Sequence, residues 1–420
     1  MSATRRSVVG RYPHVNPRGW SSGKVDVYVT LARVSVPDIS GRVTEVQALE
    51  GVNVVELATV LAGPGTGKYL ADFGASVIKV EPPQGDPTRR IGWTGDGETD
   101  SYVWKLVNRN KKIISLDLKT EDGCDDLWRL LKNADVLIEN MRPGKLEALG
   151  FGPAELLQRN PRLVILRVTG FGQTGPYAQH PGFATIAEAL GGLANLIGEP
   201  EGPPLLPPIP ITDELTAIVG AFAVMVALRH AERTGEGQEI DVNLLESLFQ
   251  MMGALVPAYA HLGYLQPRLG SGIPYTVPRG TYRCADGRWV AISTSSDSVA
   301  NRVLGLLGLE GDPRFNSFQN RSINREALEE SMLSWVRARQ YADVIEEFRR
   351  VDAAIAPILD MQEIFKDEHF AARSMISVVD GIAMQNVIAR MSRTPGHLRH
   401  AGRPFDADTA EVLEHLEQNL

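Results

Sequence analysis

Cysteine is nearly missing from this chain: Cys124 and Cys284 are the only two in 420 residues. Two thiols exclude a disulfide framework, and neither has further ligands at metal-binding spacing, so no metal is expected. Both read as buried thiols of a reducing compartment. Basic charge is not in excess either. Lys and Arg number 43 against 51 Asp and Glu, giving a net charge of −8. That balance argues against a nucleic-acid partner, which needs a basic face. No apolar stretch follows Arg5, Arg6 and Arg11, so the N-terminus does not read as a secretion signal. The apolar run 215–228 is short for a bilayer and leads into Arg229 and His230, so no membrane partner is expected. Together these absences make the cytoplasm the expected location. What is present, 43% hydrophobic and 22% charged residues, suits a folded enzyme of one large or two medium domains.

Residues 1–48 show little periodicity and read as an N-terminal extension. From residue 49 the pattern alternates. A β-branched run at 52–57, a Gly-rich turn at 61–67, a helix at 68–73 and a second strand at 77–81 form a β-α-β unit. Strands at 113–118, 136–140, 163–168 and 238–242 continue it, with helices at 123–133, 153–159, 185–196, 216–233 and 244–262. The fold class is therefore α/β, a Rossmann-like large domain with a parallel sheet. A Gly/Pro-rich stretch at 265–274 marks a boundary. Beyond it, Asp286-Gly287 between two apolar runs reads as a hairpin turn, and helices follow. Residues 265–365 read as a smaller α+β domain. Residues 49–264 and 366–420 make up the large one.

Several motifs invite chemistry. The run Gly63-Pro64-Gly65-Thr66-Gly67-Lys68 looks like a phosphate loop, but that motif needs Gly at Ala62 and Ser or Thr at Tyr69. The dinucleotide fingerprint fails at Lys68 or Leu70, which disfavours a nicotinamide-dependent oxidoreductase. The cluster Asn108-Arg109-Asn110-Lys111-Lys112 reads either as a solvated loop or as a phosphate contact. Asn140 and Arg142, in the turn after a strand, either contact a nucleotide or satisfy loop backbone. Gly270-Ser271-Gly272 is either a linker or a mobile lid. His180 reads as a solvated loop histidine. Asp213 follows a proline-studded loop, 205–210, and opens an apolar helix. Local sequence gives it the role of a helix N-cap.

The order of these motifs resembles family III CoA-transferases, the group that includes formyl-CoA transferase, carnitine CoA-transferase and α-methylacyl-CoA racemase. The similar stretches are GVNVVELATVLAGP with YLADFGASVIKVEPPQGDPTR at 51–89, NRNKKIISLDL at 108–118, VLIENMRPGKLEALGFG at 136–152, residues 161–198, and 203–252 with TGEGQEIDVNLLES. Residues 282–292 and 356–363 match more loosely. The resemblance implies a nucleophilic aspartate at Asp213 and a glycine loop at Gly270, Ser271 and Gly272. It also places Val60, Leu61, Lys79, Lys111, Asn140 and Met141 at or beside CoA contacts. It further implies an interlocked homodimer, with acyl-CoA and a small carboxylic acid as substrates and no tightly bound cofactor. Two departures stand out. Phe183 occupies the place of the racemase histidine and cannot shuttle a proton, which disfavours an acyl-CoA racemase or epimerase. Ala148 replaces a common family arginine. An intact Asp213 disfavours a silent CoA-binding paralogue. The expected reaction is CoA transfer from a thioester to a free acid through aspartyl anhydride and aspartyl-CoA thioester intermediates.

Overall fold

A computed structural model describes residues 47–418, together with the backbone of Val8–Pro13 and Lys24–Val29, which pair as an antiparallel ribbon. The extension expected at 1–48 otherwise lies almost wholly outside the described residues. The chain packs into two compact units. The larger draws on Met1–Gly191, Pro208–Met251 and Phe365–Leu420. The smaller takes Gly192–Pro207 and Met252–Ile364, so it begins before residue 265 and includes a segment that precedes Asp213 in sequence.

The large unit is built on six strands: β1 (Asn53–Glu56), β2 (Ser76–Glu81), β3 (Lys112–Ser115), β4 (Val136–Glu139), β5 (Val164–Thr169) and β6 (Gln238–Asn243). Their order is β3-β2-β1-β4-β5-β6, and every neighbouring pair is parallel. Parallel sheets are covered on both faces, which is why the central strands read as unbroken apolar runs. Val54, Leu70, Val136, Leu166 and Val224 form the core on one face. Val55, Ile114, Leu127, Leu137, Ile165 and Val412 form it on the other.

The helices that matter for the site are α1 (Ala62–Asp72), α2 (Glu121–Lys132), α3 (Pro153–Arg159), α4 (Ala184–Leu190), α5 (Ile211–Thr234) and α6 (Leu244–Gln250). Helix α1 begins at Ala62, so the glycines expected in a turn at 61–67 lie within its first two turns. Close packing explains them. A Cβ on Gly65 would stand 2.7 Å from the Ala217 Cβ, and one on Gly220 would stand 2.6 Å from Thr66 Oγ1. Thr66 Oγ1 also donates to the Ala217 carbonyl at 3.1 Å, so α1 and α5 touch nearly backbone to backbone. The helix expected at 244–262 divides into α6 and Leu255–Leu262, broken between them at Met251–Ala254.

Helix α5 corrects a second expectation. It runs 24 residues where 216–233 was expected, and although the apolar run 215–228 is short for a bilayer, the whole helix could by length and composition alone cross a membrane. In this fold Ala217, Gly220, Val224, Ala227, Leu228 and Ala231 are buried along one face, as a core helix requires. Its other face leaves Ile218, Phe222, Met225 and Val226 exposed.

The returning tail closes the β3 edge of the sheet. Ile113 N–H donates to the Asp408 carboxylate at 2.7 Å, and Asp408 N–H donates back to the Ile113 carbonyl at 2.9 Å. Ser115 N–H donates to Thr409 Oγ1 at 2.9 Å. The helix Thr409–Gln418 then adds Val412 to the core.

In the small unit an antiparallel sheet runs in the order Ile355–Pro357, Trp289–Ser293, Arg279–Arg283. Its hairpin turns at Asp286-Gly287 as the sequence indicates, with Cys284 N–H donating to the Arg288 carbonyl at 2.8 Å. Helices Arg325–Arg337 and Tyr341–Arg350 supply Met332, Val336 and Phe348 to its core.

Candidate active site

Strand order in the large sheet reverses between β1 and β4. Ligands of open parallel sheets bind outside the carboxyl ends of the strands at such a switch point. A cavity of 260 Å³ lies there, lined by the turns after β1, β4 and β5, by Ala178 and residues 180–183, by Leu244 and by Asp213. All its lining comes from the large unit.

The turn after β1 is held in a costly shape. Val60 has φ +68°, a left-handed conformation that a β-branched residue adopts at a cost of about 1–3 kcal/mol. Asn140, at the end of β4, fixes that turn from across the switch point. Its Oδ1 accepts from Thr59 N–H at 2.8 Å and its Nδ2 donates to the Thr59 carbonyl at 2.7 Å. Val60, Leu61 and Ala62 thereby reach the cavity at the N-terminus of α1, the end that carries partial positive charge. The β4 turn is anchored in its own right. Buried Glu139 accepts from Met141 N–H at 2.6 Å and pairs with Arg167 at 2.7 Å. This presents Met141 and Arg142 to the cavity. The Arg142 guanidinium is exposed and, among the described residues, has no acid partner.

Asp213 sits in the first turn of α5, but not as its N-cap. That place is taken by Pro210, and no side chain caps the helix. Half-buried and lining the cavity, the Asp213 carboxylate has no hydrogen-bond donor or cation paired with it among the described residues. Burial, then the charges of Glu188 and Glu214, raise its pKa to about 6. Glu214 has compensation: Lys68 Nζ lies 3.2 Å away, and the Tyr69 hydroxyl donates to it at 2.8 Å. Glu188, on α4, is 3% exposed and, among the described residues, accepts only from Thr212 Oγ1, at 2.9 Å. The resulting group is a poorly solvated carboxylate with no counter-ion, facing open space. Such a group can act as a base or a nucleophile.

The structure brings Val60, Leu61, Asn140, Met141, Arg142 and Asp213 together. It places Lys79 and Lys111 elsewhere. Both are fully buried beneath the strand ends. Lys111 Nζ pairs with Glu56 at 2.9 Å and donates to the Pro64 carbonyl at 2.7 Å and Asn108 Oδ1 at 3.0 Å. Lys79 pairs with Asp86 at 2.8 Å and lies 3.5 Å from Glu56. Their ammonium groups are paired with buried carboxylates. The rest of the basic cluster is also committed, with Arg109 on Asp72 and Lys112 on Glu411 at 2.8 Å. In the small unit, the glycine loop is tied down. Gly270 N–H donates to the Gly198 carbonyl at 3.1 Å, and Arg279 Nη1 donates to the Ser271 carbonyl at 2.8 Å.

Sequence reading missed Glu188, because nothing in ATIAEAL separates a buried glutamate from the solvated face of a helix. It also gave His180 to solvent. His180 is exposed, yet it lines the cavity and stacks on Tyr177 with ring centroids 5.2 Å apart. The aromatic three positions earlier was the available signal. Phe183 lines the same cavity at 64% exposure.

Residues 49–409 match the family described as CoA-transferase family III. The chain is 35% identical over 378 residues to the succinyl-CoA–L-malate CoA-transferase alpha subunit of Chloroflexus aurantiacus, covering 88% of each protein. It is 34% identical over 387 residues to the succinate–glutarate CoA-transferase of Agrobacterium fabrum, covering 88% of this chain and 96% of that one. A CAIB/BAIF family protein from Brucella suis has a solved structure that superposes with a TM-score of 0.78 at 32% identity, covering 88% of this chain and 99% of that one. The switch-point cavity with its unpaired aspartate therefore sits in an enzyme that belongs to CoA-transferase family III.

Proposed function

We propose that the enzyme moves CoA from an acyl-CoA thioester to a free carboxylic acid through covalent intermediates on Asp213. The observation that carries this reading is a carboxylate without a counter-ion, raised in basicity, at the switch point of the sheet. A carboxylate Oδ of Asp213 attacks the acyl carbon. The new C–O bond forms as the C–S bond breaks, and the electron pair leaves on sulfur as CoA thiolate. The thiolate attacks the aspartyl carbonyl carbon of the anhydride and expels the donor acid as a carboxylate, leaving CoA on Asp213. An acceptor carboxylate attacks this thioester, giving a second anhydride and thiolate. Attack of thiolate on the acceptor's acyl carbon releases product and regenerates the Asp213 carboxylate. Each step exchanges one nucleophile for another at a carbonyl, and no net proton moves.

Arg142 supplies a cation for a phosphate or carboxylate of the substrates, and the N-terminus of α1 favours developing negative charge. CoA enters as substrate, with no tightly bound cofactor. The names of the relatives support succinyl-CoA as donor and four- or five-carbon dicarboxylates as acceptors. Phe183 puts no base at the position of the racemase histidine, so turnover is expected without α-proton exchange.

Succinyl-CoA alone, with hydroxylamine present, should inactivate the enzyme and leave a hydroxamate on the peptide that contains Asp213, read by mass spectrometry. Transfer that proceeds while hydroxylamine neither inactivates nor labels the enzyme would overturn the covalent route.

We also propose a homodimer that covers the outer face of α5. Ile218, Phe222, Met225 and Val226 form an exposed apolar strip along one helix, the kind of surface a stable partner buries. Phe222→Glu should convert a dimer to monomer in sedimentation at micromolar concentration. A wild type that sediments as a monomer at that concentration refutes it.

A further inference from the structure

Behind the cavity lies a second carboxylate that the transfer mechanism does not use. Glu188 is buried at 3% exposure on α4 and does not line the cavity. A carboxylate so deep is normally paired with a cation. Among the described residues none is paired with Glu188, and its one hydrogen bond comes from the Thr212 hydroxyl at 2.9 Å. Thr212 is itself fully buried and directly precedes Asp213. The same hydrogen-bonded link therefore ties α4 to the first turn of α5 one residue before Asp213, and Glu188 acts on the reacting carboxylate electrostatically from there.

We infer that Glu188 is a positioning residue that keeps Asp213 strongly nucleophilic by opposing its charge, an opposition relieved when Asp213 is acylated. This rests on the covalent role of Asp213 proposed above. Ionised Asp213 is destabilised by a like charge in a poorly solvated place. Acylation makes the aspartyl group neutral and carries the negative charge away to the departing thiolate. Repulsion present in the ground state and lost as the reaction proceeds lowers the barrier. A more basic carboxylate is also the better nucleophile. The other charged groups facing Asp213 do not substitute for Glu188. Glu214 is paired with Lys68 and hydrogen-bonded by Tyr69 of α1, and it acts on Asp213 less than Glu188 does. Arg142, from the turn after β4, and His180, from the loop before α4, line the cavity and do not pair with Asp213. Glu188 is the largest charge contribution to the raised pKa of Asp213, second only to burial.

The test is Glu188→Gln, whose amide oxygen can still accept from Thr212, so the link and the packing are kept. The pH profile of kcat/KM for CoA transfer in the wild type should have an acid limb near pH 6, set by Asp213. In Glu188→Gln that limb should move down by about one pH unit, and kcat at pH 8 should fall by up to about tenfold. The KM for acyl-CoA should change by less than about threefold, since Glu188 touches no ligand. Thr212→Val should lower kcat and Thr212→Ser should restore it. A lowered kcat with an unmoved acid limb would reduce Glu188 to a packing residue and overturn the inference. A second readout does not depend on transfer at all. The pH dependence of unfolding should differ between wild type and Asp213→Asn, and that difference should shift to lower pH in the Glu188→Gln background. If the unfolding cycle shows this coupling while the wild type transfers no CoA, the proposed reaction fails and the charge opposition stands. If transfer is normal and the cycle shows no coupling, the reverse holds.

Discussion

Asp213→Asn should lose CoA transfer to background and at the same time yield a more stable protein. The first half follows from chemistry, because a neutral amide is a poor nucleophile and forms no anhydride. The second follows from the surroundings. The carboxyl titrates near 6 in the fold instead of at its ordinary 3.8, since burial and the neighbouring Glu188 and Glu214 disfavour its charge. The folded state therefore holds this proton more tightly than the unfolded chain. Wild-type stability falls as pH rises from about 4 to about 6 and stays lower above it. A gap of this size corresponds to at most about 3 kcal/mol at neutral pH. Asn carries no such penalty and has nearly the same shape, so the variant should gain about 1–3 kcal/mol at pH 7–8 and little near pH 4. Urea unfolding across that pH range checks it. A folded variant with near-normal transfer would remove Asp213 from the mechanism. A variant less stable than wild type at pH 8 would show that the carboxylate makes favourable contacts in solution.

Lys111→Ala should have the largest effect on stability, about 3–5 kcal/mol, although Lys111 lies in a stretch that resembles a CoA contact. Its ammonium is fully buried, and burial lowers its pKa to about 8, so it remains charged at neutral pH. Removing it leaves Glu56, itself fully buried, with Lys79 at 3.5 Å as its one cation among the described residues, and takes a second donor from the Pro64 carbonyl. Breaking one partner of such a pair exposes the full desolvation cost of the other. Lys111→Met with Glu56→Gln should recover a substantial part of the loss, because both charges then disappear together. Urea midpoints of the two singles and the double give the coupling. A single variant that unfolds like the wild type but binds CoA far more weakly would return Lys111 to the ligand.

The centre of the sheet was legible because parallel strands buried on both faces read as apolar runs, as in VLIE of β4 and VIL of β5, whereas the edge strand β6 alternates as QEIDVN. Helix starts were less legible. Gly63 to Gly67 has the composition of a loop, and only the approach of α5 at Ala217 and Gly220 shows why a helix tolerates it. Asp213 stood out by the resemblance of the surrounding chain, since local sequence made it an N-cap; its value lies in what is absent around it, and an absent counter-ion leaves no mark in a linear sequence. Lys111 shows the opposite case. A basic cluster next to a nucleotide-type sheet suggests phosphate, but Glu56, which consumes that charge, lies 55 residues away in the chain. Glu188 was invisible for the same reason, since its environment is assembled from α4 and the start of α5.

The way the tail meets β3 bears on how the protein is made. An unpaired strand edge is a template for association with other chains. Here the hydrogen-bonding groups of that edge are met by Asp408 and Thr409, almost three hundred positions after the strand they protect. A nascent chain leaving the ribosome has all six strands once residue 243 has emerged, but the guard for the outermost one only after residue 409. Throughout that interval the half-built sheet carries a bare margin in a crowded solution. Holding such a margin apart from other chains is the work of chaperones. Ending the chain before Asp408 would make that exposure permanent.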